Sequence, residues 1–416
     1  MNNPLKVTLF SLLVGVCLPS ALKAAPEISE FMAGGSSAPA DADGDTPDWI
    51  EIHNPNTEAV NLAGYTLTDD QEVLGKWAFP GVMIEPDSYL LVFASGKDRA
   101  EAGDELHTSF ELAGGGEYLA LVDSVGTVVS DFDFPNQFGD VSYGTFGDTL
   151  QFFKTPTPSA ANAQGLLGFV EDTKFSVDRG FHNTSFTLEI TTATEGAEIF
   201  YSVDGSDPST GSIFNPAKKY TEPLTIDSTT VVRAVAKKNK WQGTNTDTHT
   251  YMFLDDVVKQ PEVPEGFPER WDGREKTVAD YEMDPRIVDA NADKIRDALL
   301  SLPTVSLVAN QADFFGSKGI YTSPNTHGIE VAASAEWINS DGSTEFQVDC
   351  GARIQGGYFR QASATGKHSF RLLFKSEYGV ERLRHDIFNE PGATEEFDTF
   401  VFRAGGNDGY AWGGAG

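Results

Sequence analysis

Cysteine is almost missing from this chain, with only Cys17 and Cys350 in 416 residues. Cys17 lies in the apolar N-terminal run, so Cys350 is left alone once that run is set aside. A single thiol forms no internal disulfide and no zinc knuckle. Positive charge is also scarce: 30 Lys and Arg stand against 62 Asp and Glu, for a net charge of −32. Such a surface excludes nucleic acid and anionic membrane as natural partners. Beyond the N-terminus no segment approaches the roughly eighteen apolar residues of a membrane span. The seven histidines (His53, His107, His182, His249, His327, His368, His385) show no zinc-site spacing. There is no serine nucleophile elbow and no P-loop.

What is present is turn chemistry and aromatic mass. The chain holds 41 Gly, 21 Pro, 29 Phe and 6 Trp, with 22% charged residues. This composition points to turn-rich β structure with real cores, in roughly two to four domains. Residues 1–24 read as a secretory signal. Lys6 starts it, residues 7–18 form a short apolar run, Pro19 and Ser20 break the run, and Ala24 and Ala25 follow. Cleavage is expected after Ala24, with an uncleaved anchor as the alternative. Val16 before Cys17 speaks against lipidation. Removal of the leader takes away Lys6 and Lys23 and no acid, leaving 28 basic against 62 acidic residues, a net −34. The expected location is secreted, extracellular or at the cell surface, with the periplasm also open.

Residues 26–162 contain short strand-like runs split by Gly, Pro, Asn and Asp: DWIEIHN, GYTLTDD, YLLVFAS, EYLALVDS and GTVVSDFDF. Their regular spacing predicts a β-sandwich or barrel. The residues Asp48-Trp49-Ile50-Glu51-Ile52 with Asn54, LAGYTLTD at 62–69, YLLVFAS at 89–95, the Gly116-Glu117-Tyr118-Leu119 turn and Ser142-Tyr143-Gly144 resemble the lamin-tail family. That resemblance implies an immunoglobulin-like β-sandwich. The TPTPSAAN run at 155–162 is similar to the Pro-rich exit of bacterial members.

Residues 168–253 carry a strand, IFYSV at 199–203, then a tight turn, DGSDP, then further alternating runs around 220–236. This segment resembles the small β-sandwich at the C-terminus of chitobiase and β-hexosaminidase-type enzymes, where it is an accessory module. It has no paired carboxylates placed for glycoside hydrolysis; Asp204 and Asp207 are assigned to the turn. Residues 254–302 read as a linker. A short helix is expected over 291–302, with Ile295, Leu299 and Leu302 on one side and Pro303 ending it.

The third block begins at 303, with strands expected over 304–308, 335–338, 346–355 and 369–375. Residues 351–385 invert the charge of the chain, with seven basic side chains against two acids, a local net of +5. Such an island collects anions. Strand alternation puts Phe370, Leu372 and Phe374 on one face and Lys367, Arg371 and Lys375 on the other. Arg353 lies on the preceding strand and Arg360 in the loop between them. Arg353, Arg360, Lys367, Arg371 and Lys375 are therefore candidate phosphate ligands. The alternative is a solvated basic face balancing acidic neighbours. Cys350 alternates with Val348, Ala352 and Ile354 and reads as a core thiol.

The motifs LPTVSL at 302–307, Phe314-Phe315-Gly316, Gly319-Ile320-Tyr321, GARIQGG at 351–357, Arg360, KHSFRLLF at 367–374 and Tyr378-Gly379 resemble the spore coat protein H (CotH) kinase-like family. Phe402-Arg403 with Asn407 and Asp408 continues the pattern. The resemblance implies an atypical kinase-like α+β domain that uses ATP with Mg²⁺, with Lys367, Arg371 and Lys375 as contributors to phosphate binding. The family's metal-binding and catalytic aspartates lie in a second lobe beyond this pattern. The chain is therefore expected to be a fragment that does not itself transfer phosphate, and Asn407 and Asp408 are assigned to a turn.

One more constellation stands near the N-terminus: Asp41, Asp43, Asp45 and Asp48 around Gly44. Alternating carboxylates suit Ca²⁺, which takes about six to eight oxygen ligands. It is not an EF-hand loop, and a solvated acidic turn is the other reading. The expected whole is mainly β: two consecutive immunoglobulin-like sandwiches followed by an incomplete kinase-like domain over 303–416. The expected partners are a protein, a cell surface or a glycan. The rival to a kinase fragment is a non-enzymatic surface, adhesion or glycan-binding scaffold.

Overall fold

The strand Asp48–Asn54 organises the first part of the molecule. Its side chains alternate, so Ile50 and Ile52 face one way and Trp49, Glu51 and His53 the other. The computed structural model describes residues 24–36, 39–210, 217–271, 278–323, 328–357, 360, 368–388 and 390–404. The chain divides into two compact units, Met1–Gly168 and Phe169–Gly416. Strand outweighs helix, 38% against 7%, so the fold is mainly β, with several sheets consistent with immunoglobulin-like sandwiches. Among the described residues no helix is long and apolar enough to cross a membrane. The leader at 1–23, Lys367, Asn407 and Asp408 lie outside the described residues.

In the first unit a five-stranded antiparallel sheet runs in the order Thr149–Phe153, Ser142–Phe146, Glu27–Met32, Asp48–Asn54, Ser88–Ala94. A four-stranded sheet faces it, in the order Trp77–Ala78, Thr66–Thr68, Glu117–Val122, Val128–Phe134. Phe31 joins the two layers: its ring lies 5.2 Å from Phe132 and 4.7 Å from Phe134. Ile50, Ile52, Leu67, Leu119 and Leu121 fill the core beside it and are fully buried. A register shift between Ile28 and Glu30 bends the strand Glu27–Met32. After the shift Glu30 stands directly opposite Glu51, and Gly144 opposite Glu30 on the other side. A Cβ at Gly144 would collide with the Ser29 carbonyl, so the bulge requires glycine there.

The second unit begins with another sandwich. Its main sheet runs Gly180–Phe181, Asp247–Met252, Thr230–Lys237, Glu198–Ser202, Lys218–Lys219, with two short strand pairs completing it. Leu188, Ile190, Ile226, Val232, Ala234 and Tyr251 form its core. A five-stranded antiparallel meander follows, in chain order: Thr304–Val308, Val331–Ile338, Thr344–Gln355, Ser369–Leu373, Thr399–Phe402. Its apolar face buries Ala333, Ala335, Val348, Cys350, Ala352 and Leu372. Cys350 is fully enclosed there, and burial pushes its thiol up to about 12.

Sandwich and meander share a polar seam. The Thr250 backbone N–H donates to Glu336 Oε1 at 3.0 Å, and its hydroxyl reaches both the Glu336 carboxylate and Ser306 Oγ. Arg179 lies 3.7 Å from the same carboxylate, and the Asp207 N–H donates to Asn310 at 2.9 Å. Glu336 is fully buried, and that burial raises its pKa. Between them the linker departs from expectation. The helix expected over 291–302 is present but shorter, at Ile295–Leu299, and two further short helices precede it, at Leu254–Lys259 and Pro285–Ala290. Asp284 accepts from the Arg286 N–H and Pro285 sits in the first turn, which starts a separate helix earlier. Ile295 is buried, but Leu302 is 70% exposed and lies outside the packed face.

Candidate functional site

The basic strands pair with Gln355 opposite Ser369, Arg353 opposite Arg371 and Gly351 opposite Leu373. Two guanidinium side chains therefore stand directly across from each other on one face of the sheet. Directly opposed residues hold their Cβ atoms about 4.5–5.5 Å apart, and like charges there repel. Arg371 is half-buried, and its Nε is buried with no hydrogen-bond partner among the described residues. Arginine keeps its charge at any physiological pH. An anion, solvent or a carboxylate on the same face, such as Glu330 over Gly351, can relieve the pair.

The other expected ligands are placed differently. Lys375 is held by carboxylates: its ammonium lies 2.7 Å from Glu330 Oε1 and 3.3 Å from Glu377 Oε1. The hydrogen bond to Glu330 raises the lysine pKa. Gly351 makes room for this arrangement, since a Cβ there would strike the Glu330 carboxylate and the Tyr378 ring. Burial, then the Glu330 carboxylate, pushes Tyr378 up to about 12. Past Gln355 the chain turns through Gly356 at φ +117°, and the Arg360 stem passes 3.9 Å from where a Gly356 Cβ would sit. Arg360 itself is buried. Of the five candidates, Arg353 and Arg371 are brought together, Lys375 is tied to acids, and Lys367 lies outside the described residues.

The acidic constellation closes on an internal cation. Asp41, Asp43 and Asp45 bring carboxylate oxygens within 4.8 Å of one another. The Lys97 ammonium sits among them, at 2.5 Å from Asp41, 2.7 Å from Asp43 and 2.8 Å from Asp45. Arg99 adds a 2.7 Å contact to Asp43 and, together with Lys97, holds that carboxyl down at about 2. Asp41 Oδ1 also accepts from the N–H groups of Asp43 and Asp45, which shapes the turn. Asp48 stands outside the group: it accepts from the Gly34 N–H at 2.6 Å, and burial raises its pKa. The arrangement does not fit Ca²⁺ as it stands. Lys97 fills the centre, and three carboxylates supply too few of the oxygens that the ion takes.

Residues 19–135 match the model of the Lamin Tail Domain family. Residues 177–250 match the model of the Chitobiase/beta-hexosaminidase C-terminal domain. No curated protein matches the chain. The lamin-tail match stops before Ser142–Phe146 and Thr149–Phe153, yet both strands complete the five-stranded sheet of the lamin-tail-like unit.

That unit holds a pair that the sequence reading missed. Glu30 and Glu51 are both fully buried on the outer face of their sheet. Glu30 accepts from the Ser142 hydroxyl and from the N–H and hydroxyl of Thr157. Glu51 accepts from Ser29 Oγ at 2.6 Å and from the Ser159 N–H at 2.5 Å. The Pro-rich segment around Thr157 and Ser159 thus covers the two carboxylates. Burial pushes Glu51 up to about 7 and raises Glu30 as well. Strand alternation alone places Glu51 on a solvent face; only the glutamate sharing a face with Trp49 hints at a cover.

The chitobiase-like sandwich and the meander together border a cavity of about 940 Å³. Phe370 lines it, whereas its neighbour Arg371 points to the opposite face of the same strand. A smaller polar cavity of about 330 Å³ is lined by Asp207, Arg233, Asp349 and Glu377. Burial lifts Asp349 there to about 6, although Arg233 draws it back down.

Proposed function

We propose that this chain is a secreted multidomain β scaffold whose meander seats a phosphate-type anion between Arg353 and Arg371. The single observation behind this reading is the directly opposed arginine pair, with a buried Arg371 Nε that has no hydrogen-bond partner among the described residues. A phosphate oxygen pair matches guanidinium geometry and removes the repulsion in one step. The signal-like leader supports export, and the resemblance to CotH-like kinases supports a phosphate ligand and a kinase-type parent using ATP with Mg²⁺. Among the described residues the group of three metal-ligand side chains is Asp41, Asp43 and Asp45, in the first unit. Among the described residues of the meander no such cluster stands for Mg²⁺, and the opposed arginines are what supports a phosphate ligand. The meander's own residues bind and orient an anion.

The test is calorimetric titration of the whole chain with pyrophosphate and with ATP plus Mg²⁺. Saturable binding is expected, weakened about tenfold or more by Arg371→Gln, as befits loss of a charge-assisted hydrogen bond. Equal affinity in wild type and Arg371→Gln overturns the reading. A second reading, a non-enzymatic surface or adhesion scaffold, is favoured by Lys375, whose carboxylate partners draw it away from phosphate contact. In that case neither anion binds while the folded chain still attaches to cells or glycans.

A further inference from the structure

The large cavity of the second unit differs from the arginine site in every chemical respect. Its wall is a continuous group of rings. Trp271 lies 5.4 Å from Tyr281 and 5.6 Å from Tyr321 between centroids. Phe315 lies 5.3 Å from Tyr321 and 5.9 Å from Phe267, and Phe370 lies 6.1 Å from Tyr321. Phe267 meets both Tyr281 and Phe315 edge to face. Trp271 is buried, whereas Phe267 is 41% exposed and stands where solvent enters. Three exposed carboxylates, Asp204, Glu265 and Asp280, also line the cavity, and no Lys or Arg does so among the described residues.

The opposite wall is fixed. The Gly205 carbonyl accepts from the buried Arg233 at 3.1 Å, and a Cβ on Gly205 would sit 3.3 Å from the Ala309 carbonyl. The Asp207 to Asn310 bond ties the same turn to the meander. The cavity is therefore held open by packed elements of one compact unit.

We propose that this cavity binds an organic cation with an apolar body, such as a quaternary or alkyl ammonium. Aromatic faces attract cations through their quadrupole, and desolvation strengthens the attraction. The carboxylates add charge of the right sign, and their presence disfavours a phosphate or sulfate. The volume is in the range of small-molecule sites, which are mostly apolar with a few polar groups. This binding is independent of the arginine site.

The test is calorimetric titration of the whole chain at about pH 8. The probes are benzyltrimethylammonium and choline. The controls are 3,3-dimethylbutan-1-ol, the neutral counterpart of choline, phenylmethanesulfonate, and a chitin oligosaccharide. Saturable binding of benzyltrimethylammonium is expected. Choline should bind about tenfold more tightly than its neutral counterpart, and the sulfonate should not compete. Phe267→Ala should weaken the ammonium about three- to tenfold, and the double variant Glu265→Gln, Asp280→Asn by a similar factor. These positions are exposed, so the thermal transition should stay in place and report an intact fold. Arg371→Gln should leave ammonium binding unchanged, which separates this site from the phosphate seat. Equal binding of choline and its neutral counterpart overturns the proposal. So does undiminished binding in the double variant, or binding of the oligosaccharide in place of the ammonium.

Discussion

Two pairs of like charges oppose each other across neighbouring antiparallel strands, one acidic and one basic. Glu30 faces Glu51 in the first unit, and Arg353 faces Arg371 in the second. The acidic pair is sealed under the Thr157–Ser159 segment and takes hydrogen bonds on each carboxylate. The basic pair is half-buried and leaves a guanidinium nitrogen without a hydrogen-bond partner among the described residues. The difference follows from side-chain chemistry. A glutamate can take up a proton when buried, so repulsion and desolvation are relieved from within. An arginine cannot lose one, so relief has to come from outside. The same cross-strand geometry gives a closed structural element in one case and a ligand seat in the other.

The largest expected effect comes from breaking the acidic pair. Glu30→Ala removes the shared acceptor of Ser142 Oγ, Thr157 N and Thr157 Oγ1 in a fully buried place. Unsatisfied buried groups cost about 1–3 kcal/mol each, so a loss of about 4 kcal/mol is expected. Urea denaturation should show it as a lower midpoint. The Pro-rich segment should also become more open to proteolysis, because its Thr157 and Ser159 contacts act through this pair, although Asn162 keeps its own bonds to the Ser29 and Thr145 carbonyls. An unchanged midpoint would mean that the segment is held by other contacts.

The next effect is a pH dependence. Glu51 has its pKa raised in the folded chain, to about 7, chiefly by burial, from an ordinary 4.5. The folded state therefore binds more protons than the unfolded state between these two values. The stability that this group contributes is complete below about pH 4.5 and is lost as the pH rises through about 7. The full span is at most about 3 kcal/mol at 1.36 kcal/mol per pKa unit. Glu51→Gln should flatten that slope. Denaturation midpoints of wild type and variant, compared across this window, should converge at low pH and diverge towards neutrality. Parallel curves would show that the carboxyl stays ionised throughout.

The strands were legible in the sequence because their alternation is local. DWIEIHN, YLLVFAS, EYLALVDS and the meander runs at 304–308, 346–355 and 369–375 form strands within a residue or two of expectation, whereas the strand expected over 335–338 starts four residues earlier, at Val331. The basic island was legible by its charge. What could not be read is what depends on distant chain: the cover over Glu51 comes from Ser159, and the cation inside the Asp41 cluster comes from Lys97. The helix expected over 291–302 forms in part, at Ile295–Leu299, while the capping chemistry of Asp284 and Pro285 starts an additional helix before it that the three-residue apolar pattern did not show. The ring-lined cavity escaped notice because Phe267, Trp271, Phe315 and Phe370 are scattered over a hundred residues. No local period connects them.

The smallest effect sharpens the comparison from the basic side. In the absence of an anion, Arg371→Gln removes a like-charge neighbour from Arg353 without removing a described hydrogen bond at Nε. The variant should be more stable than wild type at low ionic strength, by about 0.5 kcal/mol, the scale of a directly opposed cross-strand charge pair. Salt should erase the gain, since the Debye length falls to about 3 Å near 1 M. Added pyrophosphate should reverse it, because ligand binding stabilises only the state that binds. Thermal unfolding of the two proteins at low salt, high salt and low salt with pyrophosphate separates these terms. A pair held apart by solvent alone shows the salt effect without the reversal, and only a seat that takes a phosphate group shows both.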